Sequence, residues 1–183
     1  MVKLILLLMV RNEAKIIRRC IEAATPHVDA LSLVDTGSVH DTISVAKSCK
    51  VPHKVVQHDW RNFGHNRSLS YQAVVEYVHE LGWDLGISYV MVQDVDMILQ
   101  AKGLREYLHG TLADAYHMMQ FMRGVEYPNA RIMRLGLSWR CVGVTHEYWT
   151  CDEACVTASC PADVAHLQDL GDGGCKTDKY ERD

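Results

Sequence analysis

KLILLLMV, residues 3–10, is an unbroken apolar run, the pattern of a strand covered on both faces. In the stretch that follows, NEAKIIRRCIEAA, the residues Ile16, Ile17, Cys20, Ile21 and Ala24 recur at helical spacing. That spacing predicts a helix, with Asn12 as its N-cap and Glu13 in its first turn. ALSLV predicts a second short strand, ended by Asp35-Thr36-Gly37-Ser38, and Asp41 is placed to cap a helix through Ile43, Val45 and Ala46. HKVVQHDW reads as a third strand, SLSYQAVVEYVHELG as a helix with Gly82 at its end, and SYVMV as a fourth strand. Strand and helix alternating in this order predict a parallel sheet with helices on both faces.

After about residue 100 the rhythm changes. KGLREYLHG predicts a short helix; AYHMMQFMR, ARIMRL and SWRCVGVTHEYW predict strands in closer succession, joined by Gly and Pro-Asn turns. The first half therefore has the pattern of a nucleotide-binding α/β unit, and the second that of a mixed region able to close over it. The tail from Gly171, GDGGCKTDKYERD, is polar and Gly-rich, and is expected to order only against a ligand or partner.

Composition narrows the class. A chain of 183 residues with 48% hydrophobic content suits one domain with a real core. A net charge of -4 without a basic stripe gives no sign of nucleic-acid binding. The apolar run at residues 4–10 is too short for a membrane span and is followed at once by Arg11-Asn12-Glu13, so no transmembrane segment or signal peptide is expected. Seven cysteines, an odd number, favour reduced thiols and a cytoplasmic location. Cys151, Cys155 and Cys160 are bunched without the CxxC pairing of common zinc sites.

The chemistry concentrates in QDVDM. Asp94 and Asp96 stand just past the fourth predicted strand, at the sheet edge where ligands collect in such folds. At i and i+2 in extended backbone they face the same side. Two adjacent carboxylates repel unless a cation sits by them, and a hard divalent ion such as Mg2+ or Mn2+ suits the pair. Taken alone, so short a pattern is more often a loop with two solvated aspartates, and the surrounding sequence has to decide.

That surrounding sequence resembles the family 2 glycosyltransferases, nucleotide-sugar enzymes of the GT-A fold. The segment LLLMVRNEAKIIRRCIEAATPHVDALSLVDTGSVHDTISVAK is similar to the family's opening strand, helix and VDTGS segment. HDWRNFGHNRSLS stands where the family has an aromatic-rich stretch ending in an Asn-Arg pair, and QDVDM where it has its DxD. RIMRLGLSWRCVGVTHEYW resembles the later hairpin that ends in a His-Glu pair, and HLQDLGDGGCKTDKYERD the segment closing the catalytic module.

The resemblance implies an α/β GT-A fold: a Rossmann-like, mainly parallel sheet flanked by helices, with a smaller mixed acceptor-side region. It implies one catalytic domain over 1–183, residues 1–100 binding the nucleotide-sugar and 101–183 forming the acceptor side, as a module of a longer protein. Val10, Arg11 and Asn12 would lie on the donor side, with Asp35 and Thr36 by the base; a carboxylate there can accept the imide N–H of uracil. Asp35 can equally be the cap of a tight turn with Gly37. Arg67 would face the diphosphate, or stand as a solvated residue of the first helical turn.

Asp94 would touch ribose or metal, Asp96 the metal, and His166 would complete the metal shell with Mn2+ or Mg2+ as cofactor. Glu147 would be the general base beside His146, which would orient the acceptor, unless the two are an exposed strand pair. The implied reaction moves a sugar from a UDP-sugar to a hydroxyl of a glycan or other acceptor, with inversion. The alternatives are a nucleotidyltransferase, disfavoured because VRNEAK lacks a glycine-rich phosphate loop, a phosphatase with an aspartate nucleophile, disfavoured because the pair follows the fourth strand and not the first, and a non-catalytic nucleotide-sugar or carbohydrate-binding module.

Overall fold

The computed structural model describes residues 1–144 and 146–173, so most of the polar tail named above lies outside the described residues. Its elements in chain order are β1 (Lys3–Val10), α1 (Ile17–Ala24), β2 (Ala30–Asp35), α2 (Thr42–Lys47), β3 (His53–Gln57), α3 (Phe63–Glu80), β4 (Ser88–Gln93) and β5 (Met97–Ala101). Then follow α4 (Leu104–Thr111), β6 (Ala115–Met122), β7 (Val125–Arg134), β8 (Trp139–Val142), β9 (Tyr148–Cys151), β10 (Thr157–Ser159) and β11 (Ala165–Asp169).

Among the described residues the main sheet runs β3-β2-β1-β4-β7-β6-β11-β5, with β10 beside β6. β1 to β4 are parallel, as the alternation of strand and helix requires. β7 runs antiparallel to β4 and β6, and β5 antiparallel to β11, so the sheet as a whole is mixed. β8 and β9 form a separate antiparallel hairpin.

The unbroken apolar run of β1 divides by alternation. Leu4, Leu6 and Leu8 pack with Ile17, Cys20 and Ile21 of α1 on one face. Ile5 and Leu7 pack with Tyr71, Val74 and Val78 of α3 on the other. Each leucine so buried contributes roughly 2 kcal/mol of transfer free energy, which is why the strand carries no polar side.

Several local expectations are corrected. α1 begins at Ile17, and its N-cap position, Ile16, makes no side-chain cap. Asn12 instead adopts φ 57, donating its N–H to Ser38 Oγ (2.8 Å) while its Oδ1 accepts from the Val39 N–H (2.9 Å). The turn after β1 is thus bound to the turn after β2, and Asn12 is spent on that bond instead of capping a helix. Asp41 does stand at the N-cap position of α2, without a side-chain hydrogen bond.

The next helix starts earlier than its apolar pattern suggests. Asn62 caps α3 by accepting from the His65 N–H at 2.8 Å, and Gly82, at φ 66, follows its C-terminus. Pro128-Asn129 is no turn: both residues lie inside β7, paired with Met119 and Met118 of β6. The hairpin turns instead at Arg123 and Gly124, φ 46 and 85, the left-handed pair a tight turn needs. Among the described residues no strand other than β6 pairs with that half of β7, an edge position where proline's missing N–H is tolerated. SWRCVGVTHEYW, read as one strand, is split into β8 and β9, and Glu147 falls in their connection.

Candidate active site

β1, β2 and β4 end together at Val10, Asp35 and Gln93. A cleft of about 390 Å³ opens there, and Val10, Arg11, Thr36, Arg67, Asp94, Asp96 and Glu147 all line it. The turn that carries the two aspartates is closed from within: the Met97 N–H donates to the Asp94 carbonyl at 3.1 Å, and the buried Gln93 amide donates to the Met97 carbonyl at 2.8 Å. Val95 between them is 5% exposed, packed into the core. Both carboxylates consequently turn toward the cleft.

Arg67 reaches the cleft because the start of α3 is seated against the β8–β9 hairpin. Gly64 donates its N–H to the Gly143 carbonyl at 3.1 Å, and a Cβ on Gly64 would stand 2.3 Å from that oxygen. Only glycine permits so close an approach. The buried side chain of Asn66 ties down the preceding loop, accepting from the Arg61 N–H (2.8 Å) and donating to the Asp59 carbonyl (2.9 Å). In the Asn-Arg pair, then, the asparagine builds the loop and the arginine points into the site.

There Arg67, 12% exposed, donates from one terminal nitrogen to Asp94 Oδ1 at 2.9 Å and from Nε to Glu147 Oε1 at 3.0 Å. Asp94 has a second arginine. Arg131 donates through both terminal nitrogens to Asp94 Oδ2, each at 3.2 Å, and its Nε and one terminal nitrogen also donate to Gln120 Oε1 at 3.2 and 2.6 Å.

The electrostatics follow from these partners. Burial disfavours ionised Asp94, but Arg67 and Arg131 outweigh it and hold the carboxyl well below the usual carboxylate range. Burial also works against the charge of Arg67, and Asp94 with Glu147 more than restores it, so the guanidinium stays charged. Asp96 is pushed the other way: burial raises its pKa, with Asp169 and Asp94 adding to the rise. The Gly173 N–H donates to Asp96 Oδ2 at 3.4 Å, and a Cβ at Gly173 would lie 3.0 Å from that atom.

The remaining expected residues divide. Asp35 is fully buried; its Oδ2 accepts from the Gly37 and Ser38 N–H groups at 3.2 and 3.0 Å, the geometry of a turn cap. Its Oδ1 is buried without a hydrogen-bond partner among the described residues, while Thr36 beside it lines the cleft. Asn12 does not line the cleft, its side chain being taken by Val39. His146 is exposed, at φ 57, and does not line it either.

His166 lies on β11 away from the cleft, with Nδ1 2.8 Å from the Ala162 carbonyl and its ring edge on Phe121 at 5.0 Å. Among the described residues no group of three or more His, Cys, Asp and Glu side chains is arranged to hold a metal ion. Asp169, three residues on from His166, does line the cleft, accepting from the Gly171 N–H at 2.7 Å.

The sequence carries no signal for Arg131 or Asp169: nothing in ARIMR or HLQD alone separates a cleft residue from a solvated one. Trp60 and Phe63, edge to face at 4.8 Å, complete one wall.

No family model matches the chain, and no curated protein matches it. Solved structures do match in fold. A fragment of S. aureus TarS, residues 1–349, in complex with UDP superimposes with a TM-score of 0.58 at 14% identity, over 86% of this chain and 60% of that one. A second structure of S. aureus TarS gives a TM-score of 0.51 at 16% identity, over 67% of this chain and 23% of that one. The chain thus spans less than two thirds of the length of the proteins it superimposes on. The mixed sheet flanked by helices on both faces, with its cleft at the carboxyl ends of β1 and β4, is the GT-A fold.

Proposed function

We propose that this chain is a glycosyltransferase that moves a sugar from a nucleoside-diphosphate donor, a UDP-sugar, to an acceptor hydroxyl with inversion. The observation that carries the reading is the placement of Arg67. One guanidinium at the lip of the parallel strands touches both the first aspartate of the DxD and Glu147, on the opposite wall of one cleft. The S. aureus TarS fragment of the same fold is in complex with UDP, which supports the choice of nucleotide.

The donor diphosphate would enter beside Arg67, whose planar fork matches phosphate oxygens. Thr36, Val10 and Arg11 line the end of the cleft that would take the nucleoside, and Asp35, next in the chain to Thr36 and buried with one unpartnered oxygen, would have to be uncovered to accept the uracil imide N–H. A divalent ion, Mn2+ or Mg2+, would sit by Asp96 and Asp169, where burial and then the Asp169 charge disfavour ionised Asp96. Asp94, both of whose oxygens are held by arginines, is suited to orienting those arginines. When bound, the ion supplies charge neutralisation for the leaving diphosphate.

Glu147 would take the proton of the acceptor hydroxyl as its oxygen attacks the anomeric carbon opposite the leaving group. The C–O bond to the diphosphate breaks, and the diphosphate leaves as the anion that Arg67 stabilises. In this reading the residues before about 100 supply most of the donor wall, and those after it most of the acceptor wall.

The test is a panel of nucleotide-sugars screened for metal-dependent release of the nucleoside diphosphate, repeated with Glu147→Gln. Glu147→Gln should keep UDP affinity and lose transfer by about 100-fold or more. A chain that binds UDP-sugars without turning them over is a binding module, and the reading falls.

A further inference from the structure

We propose that Arg131 is a positioning residue of the transferase reaction: braced by Gln120, it fixes the Asp94 carboxylate, which in turn aims Arg67 between donor and base. The inference rests on the transferase reading above and goes beyond it.

Arg131 sits on β7 one residue before the segment that pairs with β4, where Ile132 faces Met91. Ile132 and Met133 turn into the two cores, whereas the Arg131 side chain is 8% exposed and lines the cleft. A guanidinium that deep is unfavourable unless its donors are matched. They are matched in a directed way. One edge of the fork is on Gln120 Oε1 and the other on Asp94 Oδ2, so a single rigid plane spans a buried amide and a cleft carboxylate.

Gln120 is fully buried on β6 and lines neither the cleft nor the recess beside it. It therefore serves as the brace and not as a contact to anything entering the site.

The consequence lies one bond further along. With Oδ2 held from β7, Asp94 has Oδ1 left to present to Arg67 at 2.9 Å. Arg67 then meets Glu147 with its Nε. Asp94 stands on a turn after β4; with Arg67 as its sole partner its carboxyl would rotate, and the aim of Arg67 would go with it. Arg131 also borders a recess of about 100 Å³ shared with Glu147 and Asn129, next to where the acceptor would approach. A structural ion pair needs charge balance alone, whereas this arrangement needs the fork.

The experiment measures nucleoside diphosphate release from the donor, with kcat and donor KM taken separately, in the full chain and in Arg131→Lys, Arg131→Met and Gln120→Leu. Thermal midpoints are recorded alongside. A positioning role predicts that Arg131→Met loses about 100-fold in kcat, and Arg131→Lys, which keeps the charge but not the fork, about 10-fold. Donor KM should move less than about threefold in both.

Gln120→Leu should also lower kcat, by several-fold, and lower the thermal midpoint because it leaves Arg131 donors unmatched, so kcat is compared at a temperature where every variant is folded. Should Arg131→Met fail to fold, Arg131→Lys and Gln120→Leu decide. Wild-type kcat in folded Arg131→Lys and Gln120→Leu overturns the role while leaving the transferase reading in place. A wild-type chain that releases no nucleotide from any donor overturns the transferase reading and this role with it.

Discussion

Arg67 Nε donates to Glu147 Oε1 at 3.0 Å across 80 residues of sequence. The same guanidinium holds Asp94, so the first of the paired aspartates and the group proposed to take the acceptor proton share one cation. Asp94 follows a strand and Glu147 lies in a hairpin connection, so Arg67 ties together two carboxylates from separate parts of the fold. Arg67, on an 18-residue helix, joins the two carboxylates, and Arg131 on β7 holds Asp94 from the other side.

Truncation of that arginine is therefore expected to damage both walls. Arg67→Met should weaken UDP binding and lower kcat by about 100- to 1,000-fold, the scale for loss of one preorganised donor to developing charge. Arg67→Lys restores a charge but not the two-point geometry, and should recover little. Calorimetric UDP titration beside turnover checks this; an Arg67→Met variant with wild-type UDP affinity and kcat would remove Arg67 from the site.

The position of Arg67 depends on Gly64, one helical turn before it. A methyl group at Gly64 would collide with a backbone oxygen, Gly143 O, at 2.3 Å, so α3 and the β8–β9 hairpin must part. Gly64→Ala should lower stability by roughly 1–3 kcal/mol. Because Glu147 lies just beyond that hairpin strand, it should also cut turnover by more than the stability loss explains at a temperature where the variant is folded. Urea unfolding and kcat at 25 °C measure the two separately, and unchanged values in both would mean the contact has slack.

Much of this architecture was readable from local pattern. The unbroken apolar runs of β1 and β4 announce strands buried on both faces, and the Asp94–Asp96 pair after β4 marks the lip of the sheet. What escaped is set by partners distant in sequence. β5 is five residues long and exists as a strand through its pairing with β11, more than sixty positions away. Pro128-Asn129 has turn chemistry, yet pairing with β6 keeps it extended.

The site shows the same division. Asp94, Asp96, Arg67 and Glu147 were singled out and do meet in one cleft. Asn12 is taken up by the loop after β2 and His166 does not line the cleft, placements that no local spacing records. Asp169 enters the cleft because it ends a strand beside β5, where it pairs with Met97.

The arginine clamp on Asp94 has a consequence in acid. Two guanidinium groups lower its pKa in the folded chain below the unfolded value of about 3.9. A depressed carboxylate contributes stability that is present above the unfolded pKa and is lost as pH falls through the folded one. Wild type should thus lose this contribution below about pH 4. Asp94→Asn, already lacking it at pH 7, should be less stable there by roughly 1–3 kcal/mol, since the carboxylate is partly exposed. The gap should close on acidification. Urea midpoints at pH 7 and pH 3 test this, and parallel curves for the two proteins would contradict the clamp.

Asp96 behaves in the opposite sense, and this separates it from Asp94. Burial, then Asp169 and Asp94, make its ionised form unfavourable in the free chain. A divalent cation relieves that repulsion, so Mn2+ should raise the thermal midpoint at pH 7, with stabilisation of about 2.7 kcal/mol once its concentration is a hundredfold above Kd. The shift should vanish in Asp96→Asn and shrink in Asp169→Asn. It should persist in His166→Ala, because that residue does not line the cleft. Protons compete with the ion for Asp96, so the shift should weaken as pH falls toward its raised pKa. An Mn2+ response lost in His166→Ala but kept in Asp169→Asn would move the metal site away from the cleft to His166.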